Sequence, residues 1–166
     1  MDKFIKQLSK DYPGVIFRAS SSFCWSPKGQ EILYVPSGRG EQKIWSVLHE
    51  LGHALLKHTM YESDIELVQL EVSAWALAEK ISGNYNLKID HEHVQNCLDT
   101  YRDWLHRRSS CPVCGNVSLQ SSVNQYQCFN CATSWKVSNS RFCRPYRQRD
   151  SSNKKSPAKS QQAIFI

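Results

Sequence analysis

The sequence predicts an α+β chain in three consecutive parts. Residues 1–105 read as a domain of helices around a small antiparallel sheet, residues 109–138 as a small metal-closed ribbon, and residues 139–166 as a basic, disordered tail. Three observations carry that division. The run His49-Glu50-Leu51-Gly52-His53 lies in a stretch with helical periodicity. Two Cys-x-x-Cys knuckles, Cys111 to Cys114 and Cys128 to Cys131, are separated by thirteen residues. Formal charge changes sign along the chain, from −3 over residues 1–100 to +9 over residues 101–166.

Residues 2–10 read as a helix with Phe4, Ile5 and Leu8 inward, stopped before Pro13. Residues 15–19 read as a strand, and Phe23-Cys24-Trp25 and residues 31–35 flank Ser26-Pro27-Lys28-Gly29, whose turn chemistry predicts a hairpin. A helix is predicted over residues 44–58 because Ile44, Val47, Leu48, Leu51, Ala54 and Leu55 recur at spacings of three and four. Gly52 costs about 1 kcal/mol relative to Ala inside a helix, so something is expected to pack close against its backbone. Ser63-Asp64-Ile65-Glu66 is a capping box that starts the next helix, and Gly83 is its stop. Apolar residues run nearly all round that helix, so burial is expected. A further helix is predicted over residues 90–105.

The motif helix places His49 and His53 one turn apart, about 6 Å along the axis, with both imidazoles on one face. Two neutral imidazoles so placed can bind one Zn²⁺. Glu50 follows the first ligand and can reach a water there without ligating, as a general base must. Catalytic zinc takes three protein ligands and keeps an open position. Glu71 is the expected third ligand, because a carboxylate in the middle of an apolar helix is costly unless paired or metal-bound; Glu66 is second choice, at the polar start of the helix. Together these residues imply a zincin-like metalloprotease domain. Its catalytic Zn²⁺ would be held by His49, His53 and Glu71, with Glu50 as the catalytic base for peptide-bond hydrolysis. His58 should point away from the metal face, and His91 and His93 should lie at the surface. His58 and Tyr61 qualify as oxyanion donors by residue type alone.

Cys111, Cys114, Cys128 and Cys131 have the spacing of a Cys₄ structural Zn²⁺ site. Residues 117–120, 125–127 and 133–137 read as the strands of a zinc ribbon. A unit this small builds little core, so the metal would supply most of its folding energy, on the order of 10–16 kcal/mol. Cys24 and Cys97 read as core thiols and Cys143 as a free thiol. Beyond the ribbon, Arg141, Arg144, Arg147 and Arg149 alternate with Phe142 and Tyr146. That pattern suits nucleic acid, through phosphate neutralisation and base stacking, or an acidic protein partner. From Ser151 the chain is rich in Ser, Lys and Gln and reads as disordered.

Composition adds exclusions. Residues 1–14 contain no apolar run of signal-peptide length, and nothing approaches a membrane span. Seven cysteines, four of them at metal spacing, fit a reducing compartment better than a disulfide framework. The expectation is a cytoplasmic chain with no membrane contact.

Residues 1–105 resemble the ImmA/IrrE family of zinc metallopeptidases. The carriers are His49-Glu50-Leu51-Gly52-His53-Ala54-Leu55-Leu56 and Glu71-Val72-Ser73-Ala74-Trp75-Ala76-Leu77-Ala78. The resemblance implies an intracellular protease whose third zinc ligand is Glu71 and whose substrate is a DNA-binding regulator such as a helix-turn-helix repressor. Ser73 and Trp75 depart from the family's commonest residues. Two rival readings remain. SprT-like proteases, which act on DNA-bound proteins, also join His-Glu-x-x-His to a zinc ribbon but use a third histidine. A non-enzymatic, zinc-stabilised nucleic-acid-binding regulator is the other, and the intact Glu50 argues against it.

Overall fold

The computed structural model describes residues 1–37, 40–138 and 147–149. The described residues are α+β, with four α-helices and two small sheets, and they divide into two compact units, Met1–Tyr101 and the chain from Arg102.

In the first unit, α1 (Asp2–Asp11) buries Ile5 and Leu8, with Phe4 packed half-buried against the same core. Three strands follow: β1 (Ile16–Ala19), β2 (Cys24–Ser26) and β3 (Glu31–Tyr34). The expected hairpin forms, with Trp25 opposite Ile32 in antiparallel register. β1, however, joins β3 in parallel, giving the order β1-β3-β2. The sheet expected to be antiparallel is therefore mixed. Placing β3 in the middle gives partners to both its backbone edges and leaves Ile32 fully buried. Alternating polarity marks a strand in the sequence but encodes neither its neighbours nor their direction. β1 and β2 are left as the edges.

Helix α2 spans Glu41–Leu55 and so ends before His58. The end is a Schellman motif: the Lys57 N–H donates to Ala54 O (3.1 Å), and the His58 N–H donates to His53 O (3.0 Å). Lys57 takes the left-handed conformation, φ 56°. Helix α3 (Asp64–Ser82) starts at the expected capping box: Ser63 Oγ accepts the Glu66 N–H, and Glu66 accepts the Ser63 N–H. It is not buried all round. Glu71, Ala74, Trp75, Ala78 and Ile81 face the interior, whereas Ile65 and Val72 are 56% and 43% exposed. A single partner layer covers one face of a helix, whatever the residues on the other.

Gly52 lies where α2 and α3 cross, and the expected close approach is there. A Cβ on Gly52 would sit 2.4 Å from the carbonyl oxygen of Ala74, a backbone atom that cannot swing aside. Gly52→Ala should therefore force the helices apart at a cost of at least about 1–3 kcal/mol, the usual range for overpacking. Thermal unfolding monitored by circular dichroism checks this; an unchanged midpoint would show that the crossing is soft.

Helix α4 (His91–Ser109) runs past the predicted end at 105, and its last turns belong to the second unit. There Trp104 and Arg108 are 1% exposed, with the guanidinium 4.3 Å from the indole centroid. Arg108 donates to Asn124 Oδ1 (2.8 Å) and to Ser138 O, and the Trp135 indole donates to Arg108 O (3.0 Å). The second sheet is antiparallel, in the order β4 (Gln120–Ser122), β5 (Gln125–Gln127), β6 (Ser134–Val137), β7 (Arg147–Arg149). The first predicted strand is displaced: within 117–120 only Gln120 is in β4, and Val117 makes a single bridge to Ser110.

Within the tail expected to be disordered from residue 139, residues 147–149 form β7. Arg147 pairs with Val137 and Arg149 with Trp135. Their guanidinium groups donate to Ser110 O (2.7 Å) and Pro112 O (3.3 Å). All three β7 residues are exposed, so their composition carries no burial signal and the pairing rests on backbone bonds. The other tail residues singled out from the sequence (Arg141, Phe142, Cys143, Arg144, Tyr146 and the run from Ser151) lie outside the described residues. No described helix is long and apolar enough to cross a membrane.

Candidate metal centres

α2 and α3 bring three of the predicted residues together. His49 Nε2 lies 3.1 Å from Glu71 Oε2, His53 Nε2 lies 3.6 Å from Glu71 Oε1, and the two Nε2 atoms are 3.1 Å apart. His49 and Glu71 are buried, and His53 is nearly so. Nitrogens bound to one zinc at about 2.0–2.1 Å would stand roughly 3.0–3.4 Å apart at angles near tetrahedral. The donor set therefore fits a divalent cation such as zinc. Three lone-pair-bearing groups facing each other in a buried site also call for one, since buried polar atoms without compensation are costly.

Burial by itself would raise the Glu71 pKa, but the adjacent imidazoles of His49 (3.1 Å) and His53 (3.6 Å) outweigh it and hold the carboxyl well below its ordinary range. Glu71 therefore stays a carboxylate, the form a metal needs. Glu66 is engaged at the helix cap, accepting from the Glu62 N–H at 2.7 Å, and is no part of the cluster. Glu71→Ala should weaken zinc binding at this site by at least about 10–100-fold, since it removes a candidate ligand rather than merely a ligand's support. Competition against a chromophoric chelator measures it, and an unchanged dissociation constant would mean that another residue completes the site.

Glu50 sits beside the cluster. Its Oε2 accepts the backbone N–H of Trp25 (2.7 Å), on edge strand β2. Burial, which outweighs the opposing pull of His49 and His53, raises its carboxyl above the ordinary value. The His49 ring stacks on Trp75 (centroids 4.3 Å, 26°), which orients it; its Nδ1 is buried and makes no hydrogen bond.

Two histidines are not where the sequence placed them. His58 does not point away: its Nδ1 is 2.9 Å from His53 Nδ1. The Schellman turn reverses the chain after Leu55, so angular counting along a continuing helix does not apply. His58 still lies behind the His53 ring, opposite the Nε2 that faces Glu71, which removes it as an oxyanion donor. Burial, then the neighbouring His53, lowers its pKa and favours the neutral ring. His93 is half-buried, 5.0 Å from the Trp45 ring and 5.7 Å from the Trp75 ring, while His91 is exposed as expected. Helix α4 turns His93 inward because Val94 and Leu98 bury the adjacent stripe. Trp25 and Ser73 were not assigned to the site from sequence, and His58 entered there only as an oxyanion candidate by residue type. A glycine at position 57 would have signalled the helix end, but lysine stands there.

Cys24 is exposed on β2 rather than buried in the core, because its side chain alternates with that of Trp25, which takes the inward place. Cys97 is half-buried, 3.6 Å from His93 Nε2.

In the second unit, Cys111, Cys114, Cys128 and Cys131 place all four sulfurs within 4.8 Å of one another. The pairs Cys111–Cys131 and Cys114–Cys128 are 3.6 and 3.4 Å apart. Disulfide sulfurs would lie about 2.0 Å apart. Sulfurs tetrahedrally placed about 2.3 Å from zinc would be roughly 3.8 Å apart, so the cluster has metal dimensions. Burial alone would raise the Cys128 pKa, but backbone N–H groups of Cys131 and Asn130 outweigh it and lower the thiol, favouring the thiolate that binds metal. No family model matches the chain, and neither does any curated protein or solved structure.

Proposed function

We propose that the chain is a zinc-dependent endopeptidase of the His-Glu-x-x-His type, cutting an intracellular protein, with residues 1–101 as a zincin-like catalytic unit and a zinc ribbon after it. The observation that carries this reading is the convergence of His49 Nε2, His53 Nε2 and Glu71 with Glu50 held beside them by the Trp25 N–H. His49, His53 and Glu71 would hold the catalytic zinc, and the four cysteines the structural one. When bound, the catalytic zinc supplies Lewis acidity, bringing the pKa of a water toward about 7 and polarising a carbonyl. Glu50 commits Oε2 to Trp25, which leaves Oε1 to take a proton and return it to the leaving amine. Its raised pKa moves it toward the working range of a general base at neutral pH. β2 is both a sheet edge and the strand that touches Glu50, so an extended substrate laid along it would pass the base.

Glu71, rather than a histidine, beside the His49–His53 pair supports the likeness to the ImmA/IrrE pattern over the SprT-like one. His91 is exposed and His93 is held between two indoles. A DNA-binding regulator as substrate follows from that likeness alone. Arg147 and Arg149 remain exposed and would add positive charge toward nucleic acid or an acidic partner. The test is capture: full-length Glu50→Gln, zinc-loaded, is used to retain proteins from native cells, which are then incubated with the wild-type chain. At least one retained protein should be cut by wild type, with chelator blocking the cut and zinc restoring it. If no retained protein is cut, the peptidase reading fails.

A further inference from the structure

We infer that His58 is a positioning residue of the metal centre, accepting the Nδ1–H of His53 so that His53 Nε2 presents its lone pair to the cation. The inference rests on the reading that His49, His53 and Glu71 bind zinc.

The direction of the protons follows from the far end of a chain of contacts. Ser73 Oγ lies 2.9 Å from Leu70 O, and a carbonyl only accepts, so the Ser73 hydroxyl donates there. The Ser73 oxygen then turns its lone pairs toward His58 Nε2, 3.5 Å away, an arrangement that suits a neutral His58 with its proton on Nε2. His58 Nδ1 is left bare. It faces His53 Nδ1 at 2.9 Å, a contact that needs one proton between two nitrogens, and His53 must supply it. The remaining nitrogen of His53, Nε2, is therefore unprotonated and aimed at His49 Nε2 and Glu71. A backbone carbonyl on α3 thus favours, through Ser73 and His58, the tautomer of His53 that a metal-bound imidazole requires.

His58 is held for this task from both sides. Its N–H closes the Schellman turn on His53 O (3.0 Å), and its carbonyl accepts the Trp25 indole N–H (2.8 Å). The Trp25 backbone N–H meanwhile holds Glu50, so one edge-strand residue fixes both the base and the support of a ligand. No other hydrogen bond from the described residues reaches His53 Nδ1.

The experiment compares zinc affinity at the His/Glu site in full-length wild type, His58→Phe, His58→Asn and His58→Ala. Cobalt substitution distinguishes the two sites, since only the Cys₄ site gives thiolate charge-transfer bands, which also report that the second unit is folded. His58→Phe fills the space but accepts no proton, and should weaken the His/Glu site about 10–100-fold with the Cys₄ bands unchanged. His58→Asn, whose Oδ1 accepts from a similar position, should recover most of that loss. His58→Ala gives a second measurement should the phenylalanine variant fail to fold. Nitrogen-15 shifts of His53 in the wild type should show the Nδ1–H tautomer both with and without zinc. Wild-type affinity in His58→Phe, an asparagine variant no better than phenylalanine, or an Nε2–H tautomer in the zinc-free chain would each overturn the assignment. A wild-type chain that loads only its Cys₄ site would instead defeat the metal-centre reading itself.

Discussion

Glu50→Gln should lower kcat/KM on a captured substrate by about 10²–10⁴-fold, the usual contribution of a positioned general base, while zinc content stays at that of the wild type. Glutamine keeps the length of the side chain, and its carbonyl oxygen can still accept the Trp25 N–H that Glu50 Oε2 accepts at 2.7 Å. What it loses is the ability to take a proton. Glu50 is also absent from the ligand cluster of His49, His53 and Glu71, so the metal should not notice the change. Stability should hold or rise slightly, because burial disfavours this carboxylate and the amide carries no charge. Turnover measured beside elemental analysis of zinc checks both halves. Equal turnover by the variant would remove Glu50 from the chemistry; loss of zinc would make it a ligand.

The second large effect concerns the ribbon. Cys111→Ser should unfold the second unit while residues 1–101 keep their fold and their zinc. The buried cluster there is Cys111, Tyr126, Cys128, Trp135 and Val137, so two of its five members are themselves candidate ligands. The stacked Tyr126 and Trp135 rings, 5.5 Å apart, are the large apolar members of that cluster. Zinc in sites of this kind contributes on the order of 10–16 kcal/mol, comparable with the whole stability of a typical domain, about 5–15 kcal/mol. Amide exchange is the measurement: protection in β5 and β6 should vanish in the variant and remain in α2 and α3. Persistent protection of β5 and β6 in zinc-free Cys111→Ser would show that Trp104, Arg108 and the strands suffice without metal. Substitution is the cleaner test, since cutting the chain after Val137 would also delete β7, a strand of the same sheet.

Much of the candidate site was legible in the sequence because it is local. The i, i+4 spacing of His49 and His53, the Ser63–Glu66 capping box and the two Cys-x-x-Cys knuckles depend on a few neighbouring residues, and each forms as its spacing requires. Glu71 was legible for a different reason: a carboxylate on an apolar helix face demands compensation. Gly52 likewise signalled a close approach without naming what approached.

Only the tertiary structure decided the rest. Ala74 is what meets Gly52, because the α2–α3 crossing is set by side-chain packing between segments distant in sequence. The parallel pairing of β1 with β3 and the recruitment of Arg147–Arg149 as β7 are backbone hydrogen-bonding choices, to which side-chain pattern is nearly blind. His58 turned toward His53 in the candidate metal centre because a left-handed Lys57 ended the helix three residues before the periodicity did. The sequence by itself determined which side chains could bind metal, since that is a matter of chemistry and local spacing. What supports them, Trp25 and His58 above all, was decided by where the chain reverses and which strand becomes an edge, and those are properties of the whole packed unit.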